Sequence, residues 1–388
     1  MGVMKFGGSS LASPARVQTV LNLITRAAEK ERVVVVTSAL EGVTDRLSRM
    51  VASNGEGVES VIRELADRHL DLWRGVAPES LPPVESAFKE SLLSTLNELR
   101  YLDPVPKGSP HWTLANRDWA LGVGERISSL LMASLLETIG SKAQPVDGAD
   151  VIRTDSSFGS ATPLKGGTER LARWTLGQLP PGVVPVVGGF SGSDRGGRRT
   201  TLGRGSSDLT ATLIAAALSA TSVEIWTDVD GVFDRDPAVD PEATLLPLLT
   251  YAQARALARN GATVLHPNTL DPIEPLGIPL KVMNTQRPQG AGTLVTGAPI
   301  TSTSETREQR VHLFLAGATG GVGRTVLDQL HQLRPTLARA GVEIRIGGAF
   351  SSRSQLWESD GIELPQIPGA LVPGGPTNWP EISHRVRS

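Results

Sequence analysis

The chain has 388 residues, and its 38 Lys and Arg side chains nearly balance 40 Asp and Glu, giving a formal net charge of −2. This balance gives no reason to expect nucleic acid or an anionic membrane as a partner. Cysteine is absent, which excludes disulfides and cysteine metal sites. No apolar run approaches the ~20 residues of a membrane span, and the first residues predict a strand rather than a signal peptide. We therefore expect a cytoplasmic enzyme or binding protein of roughly two to three domains.

The N-terminal part of the sequence predicts a strand–helix–strand unit. Residues 3–6 read as a short strand, and the Gly-Gly-Ser-Ser run at 7–10 as the loop that leaves it. Ser13 and Pro14 then predict an N-cap and a first helical position. The run of four valines at 33–36 is typical of a parallel strand covered on both faces.

A long helical region follows. Residues 45–103 have a mainly helical pattern, and residues 116–138 predict one further helix, with Gly122 and Gly124 in its first half. A glycine inside a helix costs about 1 kcal/mol, so the two glycines suggest close approach of a ligand or of another element. Helix packing is the alternative.

Strands and helices then alternate to about residue 295. This alternation predicts one large α/β domain with a mostly parallel sheet, whose loops at the strand carboxyl ends gather on one edge. The predicted strands cover 143–146, 183–187, 223–227, 279–283 and 293–295, and the predicted helices cover 168–178, 209–218 and 251–259.

The stretch 200–208 is the most informative loop of the sequence. It lies between a buried strand and an Ala- and Leu-rich helix, an arrangement that binds phosphates and carboxylates on backbone N–H groups. Arg204 supplies a planar fork for an anion, and Asp208 stands at the start of the helix. Alternatively, this is a polar surface loop in which Ser207 or Asp208 caps the helix.

The C-terminal part has a different character. Residues 301–309 form a polar run that reads as a linker, and residues 311–316 predict a new strand. Gly317, Gly320 and Gly323 follow, then a helix and a second strand at 342–346, which is the opening of a dinucleotide-binding fold. The length that remains is too short to complete such a fold.

Several motifs together resemble the aspartate kinase family of the amino-acid kinase fold. Any one of them is weak, but they occur in the family's order over residues 1 to about 296. The tail at 311–364 resembles the start of homoserine dehydrogenase, which occurs fused to aspartate kinase with ACT domains between the two. The kinase motifs are Lys5–Ser10, Ser38-Ala39 with Thr44, Gly124-Glu125, Thr201–Asp208, Trp226–Gly231 and Leu265–Pro267.

The resemblance implies a fold and a domain division. The fold would be a three-layer αβα sandwich with a mostly parallel sheet, followed by a partial Rossmann-like βαβ segment. Residues 1–296 would be the kinase domain, 297–310 a linker, and 311–388 a truncated NAD(P)-binding segment with a vestigial glycine loop. Only the linker stands where ACT domains would lie, so we expect no ACT-mediated feedback and no homoserine dehydrogenase activity or use of NAD(P). A homodimer is one assembly that the resemblance allows.

The implied activity is transfer of the γ-phosphoryl group of Mg-ATP to the β-carboxylate of L-aspartate. The product would be 4-phospho-L-aspartate, made in the first step of lysine, threonine and methionine biosynthesis. An acceptor carboxylate is already ionised, so no general base is required. No metal ligands are assigned to the chain itself.

The resemblance also assigns residues to roles. Lys5 and Asp208 would be catalytic: Lys5 would offset charge on the transferring phosphoryl, and Asp208 would orient Lys5 or another group near it. Trp226 would belong to the core rather than contact a ligand. Two alternatives stay open: Lys5 could be an exposed lysine at a strand end, and Glu125 could be a surface residue paired with Arg126 or Ser129. The α-ammonium of aspartate would bind Glu125, one of its carboxylates would bind Arg204, and Ser38, Thr44 and Ser207 would add hydrogen bonds. The residues that contact ATP would be Gly7, Gly8, Ser9, Thr227, Asp228, Asp230, Phe233 and Arg235.

Two positions depart from the family. Ala238 and Thr263 stand where an arginine and a lysine would contact ATP phosphates. Losing two charge-assisted hydrogen bonds of about 1.5–3 kcal/mol each would weaken ATP binding by roughly two to four orders of magnitude. Arg235 is a candidate substitute. The departures keep two alternatives open: a non-catalytic module that binds aspartate or a nucleotide, and another kinase of this fold acting on glutamate, acetylglutamate or a nucleotide.

Overall fold

A computed structural model gives the architecture of the chain, which divides into two compact units, Met1–Ile300 and Thr301–Ser388. No helix in the described part is long and apolar enough to cross a membrane. The described residues are 1–53, 55–77, 82–102, 113–203, 205–235, 239–240, 242–259 and 265–297 in the first unit, and 309–316, 325–326, 329–330, 342–350, 354–362 and 372–373 in the second.

An eight-stranded sheet runs through the first unit. Its order is β3-β4-β2-β1-β7-β9-β10-β8, and every described pair is parallel except β9 with β10. A separate antiparallel hairpin is formed by β5 (Ser191–Ser193) and β6 (Arg199–Thr201). The sheet strands are β1 (Gly2–Phe6), β2 (Val33–Thr37), β3 (Ala143–Val146), β4 (Val184–Gly188), β7 (Ser222–Thr227), β8 (Leu248–Thr250), β9 (Leu280–Asn284) and β10 (Thr293–Thr296).

Helices cover both faces of the sheet. Because side chains alternate along a strand, Met4 and Phe6 pack into the core beneath one helical layer, whereas Val3 packs into the core beneath the other. The predicted three-layer α/β sandwich is confirmed. The first layer contains α1 (Pro14–Ala28), α2 (Val43–Ala52), α3 (Val58–Val76), α4 (Pro82–Asn97), α5 (Leu114–Leu121) and α6 (Val123–Thr138), and the second contains α7 (Lys165–Gly177), α8 (Ser207–Leu218) and α9 (Tyr251–Arg259).

The prediction of one helix over 116–138 is wrong, because the segment forms two helices that meet at Gly122. A Cβ at Gly122 would lie 2.7 Å from Oγ of Ser191, so the glycine lets the β5–β6 hairpin approach. A Cβ at Gly124 would lie 2.9 Å from Cβ of Ala39. Gly122 therefore permits the close approach of another element, as the main interpretation predicted, whereas Gly124 packs closely against Ala39 and α2.

Other elements agree with the sequence-based assignment more closely. Ser13 caps α1, its Oγ accepting the N–H of Arg16 at 3.4 Å, and Pro14 is the first helical residue. The short strands β5, β6 and β8 were not predicted, because three residues are too few to give a periodicity signal.

The second unit contains a four-stranded sheet of order β11-β12-β13-β14. The strands β11 (Gln309–Ala316) and β12 (Val342–Phe350) pair in parallel, with helical residues at 325–326 and 329–330 between them. This is the expected βαβ connection. The strand β13 (Ser354–Ile362) was not predicted; it pairs antiparallel to β12 and to β14 (Val372–Pro373). The glycines 317, 320 and 323 lie outside the described residues.

Candidate functional site

The carboxyl ends of four neighbouring strands form one edge of the sheet. The N–H of Gly7, after β1, donates to the carbonyl of Trp226 on β7 at 3.1 Å. The N–H of Ser38, after β2, donates to the carbonyl of Phe6 at 3.0 Å, and the N–H of Gly189, after β4, donates to that of Thr37 at 2.9 Å. The loops that leave β1, β2, β4 and β7 are thus held side by side, where α/β proteins bind their ligands.

A cavity of about 520 Å³ opens at this edge. The two predicted catalytic residues and four of the five predicted acceptor-binding residues line it, although they come from four separate segments of the chain. The fifth, Arg204, lies outside the described residues, between the lining residues Gly203 and Gly205. The six are Lys5, Ser38, Thr44, Glu125, Ser207 and Asp208.

Lys5 and Asp208 form an ion pair at the cavity. Nζ of Lys5 lies 2.7 Å from Oδ1 of Asp208, and the side chains are only 11% and 9% exposed. The contact is a buried ion pair. The interpretation of Lys5 as an exposed lysine at a strand end is therefore wrong.

Asp208 and Ser207 lie in the first turn of α8, and neither caps it. The N-cap residue is Ser206, whose hydroxyl donates to the carbonyl of Gly203 at 2.6 Å rather than accepting an N–H of the helix. The alternative that Ser207 or Asp208 is an N-cap is thus wrong. Because the helix dipole is positive at this end, it favours the negative charge of Asp208.

Glu125 is a buried carboxyl on the first turn of α6. Its Oε1 accepts the N–H of Ala39 at 3.3 Å, and its Oε2 has no hydrogen-bond partner among the described residues. Burial raises the pKa of Glu125 to about 8, although the N–H of Ala39 and the charge of Arg199 act in the opposite direction. The interpretation of Glu125 as a surface residue is wrong: Arg126 instead pairs with Glu98 and Asp147. A cation placed beside this carboxyl would stabilise its ionised form.

Two hydroxyl side chains line the cavity opposite the β6–α8 loop. Ser38 is the first residue after β2, and Thr44 lies in the first turn of α2, where its carbonyl accepts the hydroxyl of Ser48 at 2.7 Å. Gly42 precedes α2 with a φ of 77°, a left-handed conformation that glycine adopts without strain. This turn brings Thr44 to the cavity.

Close packing after β1 requires glycine at position 8 but not at position 7. A Cβ at Gly8 would lie 2.5 Å from the carbonyl oxygen of Ala39, whereas one at Gly7 would lie 3.6 Å from Nζ of Lys5. Ser9 begins the turn that leads into α1, and its carbonyl accepts the guanidinium of Arg16 at 2.8 Å. The loop is thus held against the one that follows β2.

The residues predicted to bind the nucleoside follow β7. Thr227 donates its hydroxyl to Asp228 at 3.1 Å. Asp230 accepts Nδ2 of Asn284 at 2.7 Å and lies 2.7 Å from a guanidinium nitrogen of Arg287. Sequence reasoning did not single out Asn284 or Arg287, which reach this loop from the end of β9.

Phe233 and Arg235 lie further along the same loop. Phe233 forms an isolated antiparallel bridge with Leu245. The guanidinium of Arg235 is held within its own loop, by Asp240, by Asp234 at 3.5 Å and by the carbonyl of Glu242 at 3.2 Å. Ala238 and Thr263 lie outside the described residues, so the relation of Arg235 to them stays a prediction.

Two further residues at the cavity were missed from the sequence. Phe190 lines it and has a φ of 66°, an unusual left-handed conformation for a residue other than glycine. Its place directly after Gly188-Gly189 was the available signal. Asp118, a buried carboxylate on α5, holds Gly159 and Thr201 at the cavity wall, and nothing in its local sequence pointed to this contact.

Among the described residues, no group of three or more His, Asp or Glu side chains could hold a metal ion. Trp226 is buried and stacks on Phe6 with 6.2 Å between ring centroids, so it belongs to the core as predicted. The fold and the site define an α/β protein that binds a small molecule at the carboxyl edge of a mostly parallel sheet.

Comparisons with known proteins agree with this class. The model of the Amino acid kinase family matches residues 1–284. Aspartokinase of Chlamydia pneumoniae is 33% identical over 327 residues, which cover 84% of this chain and 69% of that protein. The chain therefore belongs to the amino acid kinase family and, within it, to the aspartokinases, and the resemblance drawn from the motifs is confirmed.

Two further relatives show how far the similarity extends. Aspartokinase 1, chloroplastic, of Arabidopsis thaliana is 37% identical over 307 residues, which cover 76% of this chain and 52% of that protein. The crystal structure of E. coli aspartokinase III in complex with aspartate and ADP superposes with a TM-score of 0.66 at 32% identity, covering 78% of this chain and 65% of that one. The chain thus spans about half the length of the Arabidopsis relative.

Proposed function

We propose that the protein is an aspartate kinase, which transfers the γ-phosphoryl group of Mg-ATP to the β-carboxylate of L-aspartate. The observation that carries the proposal is a single cavity in which the Lys5–Asp208 ion pair and the buried carboxyl of Glu125 lie together. The cation suits a transferring phosphoryl group, and the carboxyl suits an ammonium group. The aspartate and ADP bound in the E. coli relative support this assignment.

Aspartate would be held by groups of complementary charge. Its α-ammonium would bind Oε2 of Glu125, the buried oxygen without a partner in the described structure. Arg204 would bind a substrate carboxylate through a bidentate pair, and Ser38, Thr44 and Ser207 would add hydrogen bonds. Binding an ammonium at Glu125 replaces a neutral carboxyl by an ion pair, so aspartate binding would release a proton from this residue at neutral pH.

The chemical step would join an oxygen of the β-carboxylate to the γ-phosphorus and break the bond from that phosphorus to the β–γ bridging oxygen. The acceptor is already ionised, so the chain needs to align the reactants and neutralise charge rather than remove a proton. Lys5 would neutralise the equatorial oxygens, and Asp208 would hold its ammonium in place. Mg²⁺ would bind together with the ATP phosphates, as is usual in kinases.

ATP would lie along the loops after β1 and β7. Gly7, Gly8 and Ser9 would contact phosphates, and Thr227, Asp228, Asp230 and Phe233 would border the nucleoside. The phosphates would reach Lys5 from the side of these two loops. The hydrogen bond from the N–H of Gly7 to the carbonyl of Trp226 joins the loop after β1 to the end of β7. Arg235 would supply the phosphate cation that Ala238 and Thr263 lack.

The test is aspartyl hydroxamate formation that depends on ATP and aspartate. Lys5→Ala should lower kcat by about 100-fold or more, the loss seen when one charge-stabilising donor is removed. Lys89→Ala, which removes an exposed lysine from α4, is the matched control and should leave kcat unchanged. Wild-type activity no higher than that of Lys5→Ala would refute the proposal and favour the non-catalytic binding module.

The same assay addresses the remaining alternatives. Glutamate, acetylglutamate and nucleoside monophosphates should each be poorer acceptors than aspartate, and a faster reaction with one of them would reassign the enzyme. We also propose that millimolar lysine or threonine does not inhibit the enzyme. Inhibition by either amino acid would refute this proposal.

A further inference from the structure

Asp118 is a buried carboxylate that pairs with no Lys or Arg among the described residues. It lies on α5 and is 2% exposed. Its charge is balanced by hydrogen bonds instead: Oδ2 accepts the N–H of Gly159 at 2.8 Å and the N–H of Thr201 at 2.8 Å, and Oδ1 accepts the hydroxyl of Thr201 at 2.9 Å. Isolated buried carboxylates are costly, so such an arrangement calls for a reason.

The groups that Asp118 holds are walls of the acceptor cavity. Both Gly159 and Thr201 line it. Thr201 is the last residue of β6, and the loop that begins after it leads through Gly203 to Ser207 and Asp208. The carbonyl of Thr201 also accepts the N–H of Ala161 at 2.8 Å, which joins the two walls to each other.

The contact depends on three hydrogen bonds to one side chain. Three donors converge on Asp118, and both of its oxygens accept, one of them two N–H groups. An asparagine could turn its oxygen to the two N–H groups and donate its NH₂ group to the hydroxyl of Thr201, which can also accept. Alanine, in contrast, removes all three bonds and is the substitution that releases both partners.

We infer that Asp118 is a positioning residue for the acceptor substrate: it fixes the start of the 202–208 loop, and with it the groups of that loop that face aspartate. This inference rests on the proposed function. Asp118 does not line the cavity and acts only through Thr201 and Gly159. The loss of Asp118 therefore weakens aspartate binding and leaves the ATP side, built by the loops after β1 and β7, unchanged.

Asp194 offers a matched control. It is a buried carboxylate, 1% exposed, at the opposite end of the same β5–β6 hairpin. It accepts the N–H groups of Gly196 and Arg198, both at 2.9 Å, and its Oδ2 also accepts the hydroxyl of Ser156 at 3.0 Å and pairs with the guanidinium of Arg198 at 2.7 Å. It does not line the cavity. Asp194→Ala therefore removes a buried, hydrogen-bonded carboxylate from the hairpin that holds neither Gly159 nor Thr201.

The experiment compares Asp118→Ala, Thr201→Val and Asp194→Ala with the wild type in the hydroxamate assay, with melting temperatures measured in parallel. Asp118→Ala should raise the KM for aspartate about ten- to a hundred-fold, the effect of a misplaced substrate contact, and keep the KM for ATP within about two-fold. Thr201→Val removes one of the three bonds and should raise the KM for aspartate by less. Asp194→Ala should lower the melting temperature without raising the KM for aspartate.

Three outcomes decide the inference. An aspartate KM that is unchanged in folded Asp118→Ala, or raised equally in Asp194→Ala, overturns the positioning role. If Asp118→Ala does not fold, an unchanged aspartate KM in Thr201→Val overturns it. A wild-type protein without phosphoryl transfer refutes the proposed function instead, so the two failures are distinguishable.

Discussion

The raised pKa of Glu125 predicts how aspartate affinity depends on pH. Burial raises this pKa to about 8 in the free protein, and an α-ammonium group binds the ionised form. The ionised fraction falls from one half at pH 8 to about one hundredth at pH 6, so the KM for aspartate should rise about fifty-fold between them. The α-ammonium of free aspartate stays protonated over this range, so the change reports the enzyme.

Glu125→Gln isolates the contribution of the charge. The amide has the same shape but cannot ionise, so the pH dependence of the aspartate KM should disappear. At pH 8 the variant loses a charge-assisted bond of about 1.5–3 kcal/mol, which raises KM by roughly ten- to a hundred-fold. The gap between variant and wild type should narrow as the pH falls, because the wild-type residue becomes neutral too.

The contribution of Glu125 to the free energy of unfolding changes with pH in the opposite direction to that of most carboxyl groups. Because the pKa of Glu125 is higher in the folded state than in the unfolded state, the folded protein binds more protons between about pH 4.5 and about pH 8. The contribution of Glu125 to the free energy of unfolding therefore decreases as pH rises through this window, and it should be absent in Glu125→Gln. A wild-type aspartate KM that does not change between pH 6 and pH 8 would refute the reasoning on Glu125.

Two more predictions concern the nucleotide side. Gly8→Ala places a Cβ 2.5 Å from the carbonyl oxygen of Ala39. The variant should lower the free energy of unfolding, measured by urea titration, by about 1–3 kcal/mol. The control is Gly177→Ala, which should not lower the free energy of unfolding because its Cβ meets open space. Equal free energies of unfolding in the two variants would show that the structure relieves the close contact without a loss of stability. Arg235→Ala should raise the KM for ATP about ten-fold and leave the KM for aspartate unchanged, which is the result expected of the phosphate contact proposed for Arg235. An unchanged KM for ATP would show that Arg235 does not contact the phosphates and serves only its own loop.

Much of the acceptor side was predictable because it depends on local signals. Glycine-rich or hydroxyl-rich loops directly after buried strands must meet at one edge of a parallel sheet, which brings Lys5 near Ser38 and Asp208 without knowledge of the tertiary structure. The protonation state of Glu125 was not predictable, because it depends on burial by elements distant in sequence. The surface interpretation of this residue was wrong for the same reason.

Other features depend on contacts that a local pattern does not encode. Asp118 meets Gly159 and Thr201 across 41 and 83 residues, so neither its spacing nor its neighbours reveal the partners. The break at Gly122 follows from the approach of the β5–β6 hairpin, and a helical periodicity does not register such a steric demand. Phe190 adopts its left-handed conformation in a turn that its residue type does not favour.

The position of β1 has a consequence for how the chain folds. This strand precedes all others in the sheet, yet its two neighbours are β2 and β7, and β7 begins only at Ser222. During synthesis one side of β1 therefore stays unpaired until the residues of β7, more than two hundred positions later, have been made. Such distant pairing slows folding and leaves a sheet edge open to other chains in the meantime. The strand that carries Lys5 thus links the formation of the site to the pairing of β7.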